Sequence, residues 1–465
     1  MLNLTGIIID LRKMKALRLS FFLILVLPGY SIASPPFSLV DCIVYAMENS
    51  PALTAVRYDL HEQNQEQNWA RKAWLPSLEA YTDYHYYPAD LPVWFFPDPE
   101  GSILSGGSSE GPYPVGIGLP QNIMAGFRLD QTVFNGRLLI SGRLSEVMNR
   151  NHSARMQKVR EEVVVSVATQ YLQLGSSIDK FEIIDFNIQR MERLASALQL
   201  QVQEGMARES DFLRLMVRLS VLQADRKKLE SAISKQYDYL KLSIGMPVED
   251  VLEIDSSMEL FENVSSGESD DLPLSPSPDE LVMRSQKDLL DLQQKLGRHE
   301  ILPSMTAFAD LRFNAQRQEF DFFQAGDWYQ MHIVGIRLSV PLSRVWHSDK
   351  DLALASIRSE RLDYGIRQQR QKAALDYAAA RRELTAAHAF MESQERNLQL
   401  ARRLLAESEL KYMEGHLPLI ELLEAEALER EAQVAYYDAS VAVNMARLQW
   451  YRVTGYLFEV FALQD

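Results

Sequence analysis

The sequence contains a single cysteine, Cys42, among 465 residues. One thiol cannot form an internal disulfide bond or a multi-cysteine metal site. The preceding residues, Leu39-Val40-Asp41, lack the small side chains of a lipid-attachment site. We therefore expect Cys42 to be a buried helical residue.

Basic residues are scarce relative to acidic ones. The chain has 48 Lys and Arg against 63 Asp and Glu, which gives a formal net charge of −15. Because phosphate binding needs a surplus of cationic side chains, this balance argues against a nucleic-acid partner.

Catalytic and metal-binding signatures are also missing. The sequence has no phosphate-binding glycine loop followed by Lys, and no His-Glu-x-x-His. His61-Glu62 and His299-Glu300 each lack a second histidine at metal-binding spacing. We therefore expect no enzyme activity, no cofactor and no metal site.

The N-terminus carries a short apolar run at residues 21–27. Basic residues precede this run, and Ser-Ile-Ala at 31–33 follows it with small residues at a cleavage position. This order is typical of a secretory signal peptide, and the run is far shorter than the ~20 residues of a membrane-spanning helix. We expect residues 1–33 to be a signal peptide, for which Met14 is the better start, and the mature protein to be exported.

The rest of the chain divides into two similar halves. Residues 255–279 are rich in Ser, Pro, Asp and Glu and predict a linker. Leu75-Pro76-Ser77 recurs as Leu302-Pro303-Ser304. Further pairs recur at offsets of 209 or 210 residues: Arg128-Leu129 with Arg337-Leu338, Glu204-Gly205 with Glu414-Gly415, and Gly245 with Gly455. We predict one structural repeat over 34–254 and a second over 280–465.

Each half contains a very long helical stretch. No proline interrupts residues 144–203 or 351–414, and sixty helical residues would extend ~90 Å. Apolar side chains recur every seven residues in both stretches, a period that is typical of left-handed coiled coils. Each stretch ends at a Glu-Gly pair, where we expect the turn of a helical hairpin. Residues 38–75 predict another helix.

Four short segments alternate apolar and polar residues. They are 78–87, Ile123 to Val133, Met305 to Phe313, and Val334 to Val340. Their lengths approach the ~9–11 residues of a tilted strand that crosses a bilayer, and the alternation suits a barrel with a wet lumen. The Pro-, Gly- and Ser-rich stretch 88–121 predicts a loop between the first two strands.

Aromatic residues cluster around the first strand and this loop. Tyr84, Tyr86 and Trp94 are among them, and such side chains favour a lipid–water interface. Four strands cannot close a barrel, which needs ~8, and lipid tolerates no open sheet edge. If the strands span a membrane, several chains must share one barrel; the alternative is an ordinary sheet packed on the helices.

The order of these elements resembles that of the TolC-type outer-membrane efflux proteins. The resemblance covers about Ser38 to Gly455. It rests on the signal peptide, the duplication, the order helix–strand–strand–long helix–turn–long helix, and the motifs Asn49-Ser50-Pro51, Pro76-Ser77-Leu78 and Phe134-Asn135-Gly136.

This resemblance implies the fold and the assembly. The fold would be mainly α with a small β part, and a homotrimer would form an α-helical tunnel with one shared twelve-strand β-barrel. The barrel would lie in outer-membrane lipid of a Gram-negative bacterium, and the helices would extend through the periplasm. The protein would be the exit duct for efflux or type I secretion, together with a periplasmic adaptor and an inner-membrane pump.

The resemblance also implies where partners bind. Turns at the periplasmic tips would contact the adaptor, and they match Gly205-Met206-Ala207 and Gly415-His416-Leu417. Leu417 and Pro418 stand in the turn where some relatives carry a basic residue, so the resemblance does not imply a charge link between subunits there.

Acidic residues that follow the second tip match a constriction of the entrance. They are Glu421 and Glu424, which share a helix face at i and i+3. Three-fold symmetry would gather six carboxylates, which would favour cations. The alternative is a solvated acidic face that Glu426 and Glu429 continue.

One other function fits the heptads and the signal peptide, namely an exported periplasmic coiled-coil scaffold without channel activity. A scaffold would have no lipid-facing strands, so the surface of the predicted sheet distinguishes the two functions.

Overall fold

The computed structural model describes residues 36–88, 93–96, 113–116, 119–255, 276–299, 301–324, 326–342 and 344–461. The helices are α1 (Leu39–Asn49), α2 (Pro51–Lys72), α3 (Gly136–Gln203), α4 (Glu209–Ile244), α5 (Pro278–His299), α6 (Arg344–Met413), α7 (Leu419–Thr454) and α8 (Leu457–Val460). The strands are β1 (Ser77–Tyr86), β2 (Val93–Phe96), β3 (Tyr113–Gly116), β4 (Gln121–Phe134), β5 (Ser304–Arg317) and β6 (Tyr329–Ser339). The mainly helical fold with a small β part is confirmed.

Two predicted segments fall wholly or partly outside these ranges. The predicted signal peptide at 1–33 lies outside the described residues, as do residues 256–275 of the predicted linker. Helix α5 begins at Pro278, so the last two residues of the predicted linker belong to a helix.

The long helices form two antiparallel hairpins. α3 has 68 residues and α6 has 70, and each turns back into a partner of 36 residues, α4 or α7. At 1.5 Å per residue the longer helices extend ~100 Å. The heptad positions lie in the helix seams: Val167 and Leu174 are fully buried, and Tyr377, Leu398 and Leu405 are nearly so.

The N-terminal helical region consists of two helices, so the prediction of one helix over 38–75 is wrong. α1 starts with a capping box in which Ser38 and Asp41 exchange hydrogen bonds. It stops at Ser50, whose ψ of 130° is not helical. Pro51 causes the break, because proline disfavours the α conformation in the residue before it. Cys42 is fully buried in α1, as predicted.

The largest core lies where the two halves meet. Buried side chains of α1, α3, α4, α6 and α7 form one cluster there. The Tyr171 hydroxyl donates to the backbone oxygen of Asp255 at 2.5 Å, next to the short pairing of Phe37 with Ile254. Burial raises the pKa of Tyr171, so this hydroxyl remains a donor. The core thus packs the beginning and the end of the first structural repeat against the helices of the second repeat.

The four predicted strands form one antiparallel sheet in the order β1-β4-β5-β6. β2 and β3 pair separately with each other. They lie in the segment 88–121, so the prediction that this segment is only a loop is wrong. The side chains of Trp94 and its neighbours lie outside the described part of the chain. Among the helices that the structure describes, none is both long and apolar enough to cross a bilayer.

Alanine substitution of Gly245 tests the packing at the end of α4. Gly245 has a φ of 83°, and a Cβ there would lie 2.1 Å from the backbone oxygen of Asn49. Gly205 has a similar φ of 76°, but nothing lies within 4 Å of its Cβ position. Left-handed backbone costs a non-glycine residue ~1–2 kcal/mol, and only Gly245→Ala adds a clash.

We therefore expect Gly245→Ala to lower the midpoint of thermal unfolding, followed by far-UV circular dichroism, clearly more than Gly205→Ala does. Equal midpoints for the two variants would show that the contact between Gly245 and α1 does not contribute.

Candidate functional site

One face of the four-stranded sheet is apolar and exposed. The register of the strands places on this face Leu78, Phe127, Leu129, Val334, Ile336 and Leu338. Leu78 is 71% exposed, Val334 84% and Ile336 70%. A contiguous patch of large exposed apolar side chains marks a surface that contacts a membrane or another protein.

The opposite face is mainly polar, although Phe308, Met331 and Ile333 also lie on it, and it has a buried charge. The Asp310 side chain is fully buried and accepts hydrogen bonds from Arg312 Nη2 at 2.8 Å and from the Tyr81 hydroxyl at 2.9 Å. Arg128 Nη2 lies 3.3 Å from the same carboxylate. Tyr81 reaches Asp310 across Gly126, where a Cβ would lie 3.0 Å from the Tyr81 hydroxyl. The cluster therefore ties β1, β4 and β5 together on the polar face.

Both outer strands of the sheet leave an edge open. Within the described ranges, β1 pairs only with β4 and β6 pairs only with β5. Such edges present backbone N–H and C=O groups that can pair with another strand. The sheet is therefore able to extend in both directions.

The two predicted tip turns lie at the same end of the molecule. Ala207 and Leu417 both pack against one cluster of buried residues from α3, α4, α6 and α7. Gly205 and Gly415 have φ of 76° and 75°. Met206 N–H donates to Gln201 O at 2.7 Å, and His416 N–H donates to Lys411 O at 2.8 Å. These are matching Schellman caps, so the two halves end in equivalent turns.

The predicted constriction residues lie on the exposed side of α7. Glu421 and Glu424 are exposed, whereas Leu419, Leu422 and Leu423 of the same turns are buried. The structure therefore places both carboxylates together, close to the second tip and facing away from the core of the chain.

Glu426 and Glu429 do not continue this exposed face, so the alternative of a solvated acidic face does not extend to them. They are only 3% and 5% exposed. Arg190 of α3 lies between them, with its Nε 3.3 Å from Glu426 and its Nη2 3.9 Å from Glu429. Arg402 lies 3.8 Å from Glu429. The spacing in the sequence could have predicted that Glu426 is buried, because Glu426 lies four residues after the apolar Leu422 and therefore on the same helix face.

Burial raises the pKa of Glu426 and of Glu429, and the Arg190 guanidinium acts against this rise. Among the described residues, Arg190 Nε and Glu426 Oε2 have no hydrogen-bond partner. The ion pairs therefore do not offset the loss of water around these carboxylates.

Within the described ranges, no three side chains of His, Cys, Asp or Glu form a group that could hold a metal ion.

Glutamine at position 426 tests the cost of the buried charge. When folding raises the pKa of a carboxyl, the fold has its full stability at pH values below the ordinary pKa, where the group is protonated. This contribution to stability is lost as the pH rises through the raised pKa, because the buried group then becomes charged. We expect Glu426→Gln to unfold at a higher temperature than the parent protein at pH about 8, and at a similar temperature at pH about 4.

Glu431→Gln is the matched control, because Glu431 is exposed on the same helix and lies outside the predicted constriction; its unfolding temperature should equal that of the parent protein at both pH values. A Glu426→Gln protein that is less stable at the higher pH would show that pairing with Arg190 outweighs burial.

No protein-family model and no curated protein sequence matches this chain. Solved structures do match it. The Campylobacter jejuni CmeC outer membrane channel has a TM-score of 0.66 at 12% identity, covering 92% of this chain and 90% of its own. The outer membrane protein VceC from Vibrio cholerae has a TM-score of 0.63 at 15% identity, covering 90% and 96%.

The Neisseria gonorrhoeae MtrE outer membrane channel, in its open state, has a TM-score of 0.62 at 15% identity, covering 90% of this chain and 88% of its own. The match therefore extends over about nine-tenths of each molecule. The sequence resemblance is confirmed at the level of structure, and the chain has the fold of the TolC-type outer-membrane channels.

Proposed function

We propose that the protein is an outer-membrane channel subunit of a Gram-negative bacterium. The observation that carries this proposal is the four-stranded sheet, which has an exposed apolar face, a charged polar face and two open edges. The apolar face suits lipid and the polar face suits a wet lumen. The open edges require further strands, because lipid offers no hydrogen bonds to an unpaired backbone.

Three chains supply these strands. Two chains would give eight strands, and side chains alone fill the interior of a barrel of that size. Three chains give twelve strands, with β1 of each chain paired to β6 of its neighbour, and leave room for a passage lined by the polar face. A homotrimer is thus the smallest closed assembly with an open lumen.

The helices continue this wall away from the membrane. α2 leads into β1, β4 into α3, α5 into β5, and β6 into α6. The same helices pack side by side in the order α2, α3, α5, α6. A ring of strands therefore becomes a ring of helices, which would form a tunnel through the periplasm.

The tip turns would meet the rest of the export machine. Gly205-Met206-Ala207 and Gly415-His416-Leu417 lie at one end of the helices, and Met206 is 69% exposed. Methionine adapts easily to a partner surface. We infer that a periplasmic adaptor docks at these turns and that an inner-membrane pump supplies the energy for efflux or type I secretion.

A coiled-coil scaffold fits the structure less well. Its helices would account for the hairpins, but it gives no reason for Val334 and Ile336 to be 84% and 70% exposed on a sheet.

Conductance across a planar lipid bilayer tests the channel and its entrance together. Glu421 and Glu424 would gather six carboxylates around the axis of a trimer, and a ring of carboxylates favours cations. We expect the purified protein to give stable unitary steps that are cation-selective. In the double variant Glu421→Gln/Glu424→Gln, the steps should persist with reduced cation selectivity.

The control is Asp225→Asn/Glu230→Gln, which removes two exposed carboxylates of α4 that lie ~30 Å along the helix from the tip. It should leave the selectivity unchanged. An equal loss of selectivity in both variants would place the selective element elsewhere, and a protein that never inserts into the bilayer would contradict the channel.

A further inference from the structure

The loop between β5 and β6, described at residues 318–324 and 326–328, carries a packed group of aromatic rings. We refer to it as the aromatic loop. The Phe320 ring centre lies 5.5 Å from that of Tyr84 on β1, 5.5 Å from Phe322 and 6.1 Å from Phe323, each in an edge-to-face arrangement. Edge-to-face pairs at these distances stabilise one another. The loop is thus fastened to a strand that is not its neighbour in the sheet.

The aromatic loop lies on the apolar face of the sheet. Tyr84 pairs with Ile123 across the sheet, and Ile123 pairs with Ala315. Side chains at paired positions share a face, and this row lies on the same side as Leu78. Ala315 is fully buried and Phe322 is only 5% exposed. Since they are covered from that side, the loop folds back over the outward face and does not lie over the polar face.

Polar contacts hold the aromatic loop in this position. Arg317 ends β5 and donates from Nη2 to the backbone oxygen of Asp327 at 3.2 Å. Its Nε lies 3.5 Å from the Asp321 carboxylate, and its side chain is only 16% exposed. The guanidinium thus joins both ends of the loop.

Two rings of this held loop face outward. Phe323 is 92% exposed and Phe320 is 55% exposed. Water does not favour a fixed and exposed phenylalanine, whereas the boundary between lipid headgroups and acyl chains does accept aromatic rings. The patch is continuous with the apolar strand face that the proposed function assigns to lipid.

We propose that the aromatic loop is a membrane-interface anchor, in which Phe320 and Phe323 enter the lipid headgroup boundary at the end of the barrel remote from the helices. This inference rests on the proposed function. It also means that this loop lies beside the rim of the exit and is not a lid over it.

Site-directed fluorescence quenching tests the anchor. Phe323→Cys is labelled with an environment-sensitive fluorophore, and the protein is placed in phospholipid vesicles that carry a nitroxide either at the headgroup or deep in the acyl chain. Native Cys42 stays unlabelled, because it is fully buried and burial raises the pKa of its thiol to about 12. Iodide serves as the water-soluble quencher.

Two further single-cysteine variants serve as controls. Val334→Cys lies on the outward face, five residues into β6, or roughly 17 Å along the strand. Glu79→Cys lies on the polar face and is exposed. We expect headgroup nitroxide to quench the Phe323 label several-fold more than deep nitroxide does. The Val334 label should show the reverse order, and the Glu79 label should respond to iodide alone.

The outcomes separate this proposal from the channel. If lipid nitroxides quench the Val334 label but only iodide quenches the Phe323 label, the loop projects into water and the anchor is wrong. If the Phe323 label is shielded from every quencher, another protein surface covers the loop, which also overturns the anchor. If no lipid nitroxide reaches the Val334 label, the membrane barrel itself fails.

Discussion

Hydrocarbon offers no partner for a backbone hydrogen bond, and this constraint governs the proposed assembly. The sheet exposes its apolar face, yet β1 and β6 each pair on one side only within the described residues. Such a sheet can lie in lipid only if copies of the same chain pair with both edges, which leads to a closed ring with rotational symmetry. Closure of the ring into a barrel creates a lumen, because the face that carries Asp310, Arg128 and Arg312 then lies inside. The tunnel follows as well, because every strand of the sheet continues into a helix of the wall.

The helical part meets a different constraint, since helices ~100 Å long cannot be buried in a compact core. Coiled-coil seams along each hairpin solve this problem, and two clusters of buried residues fix the hairpins to each other. One cluster lies at mid-length, where Tyr171 ties the ends of the first half together. The other lies at the tips and brings Ala207 near Leu417. Arg190 and the carboxylates of Glu426 and Glu429 join the hairpins beside that cluster, at the cost of poorly solvated charge.

Local patterns in the sequence were sufficient for most of the fold. Period-seven residues such as Val167 and Leu174 predict the hairpins, period-two alternation predicts the four strands, and glycines such as Gly205 predict the turns. The failures have physical causes. β2 and β3 have no alternation that would reveal a strand. Glu426 looks like part of an acidic surface until Arg190, which is far away in the sequence, is placed beside it. The position of the aromatic loop depends in the same way on contacts between distant strands, which no local period encodes.

The most direct test of the central claim is a cryo-electron microscopy reconstruction of the protein in lipid nanodiscs. We predict three chains around one axis, a closed twelve-strand barrel within the lipid disc in which β1 of each chain pairs with β6 of the next, and the side chains of Val334 and Ile336 directed towards lipid. A particle with a single chain, with an open sheet edge, or with its strands outside the lipid disc would contradict the account.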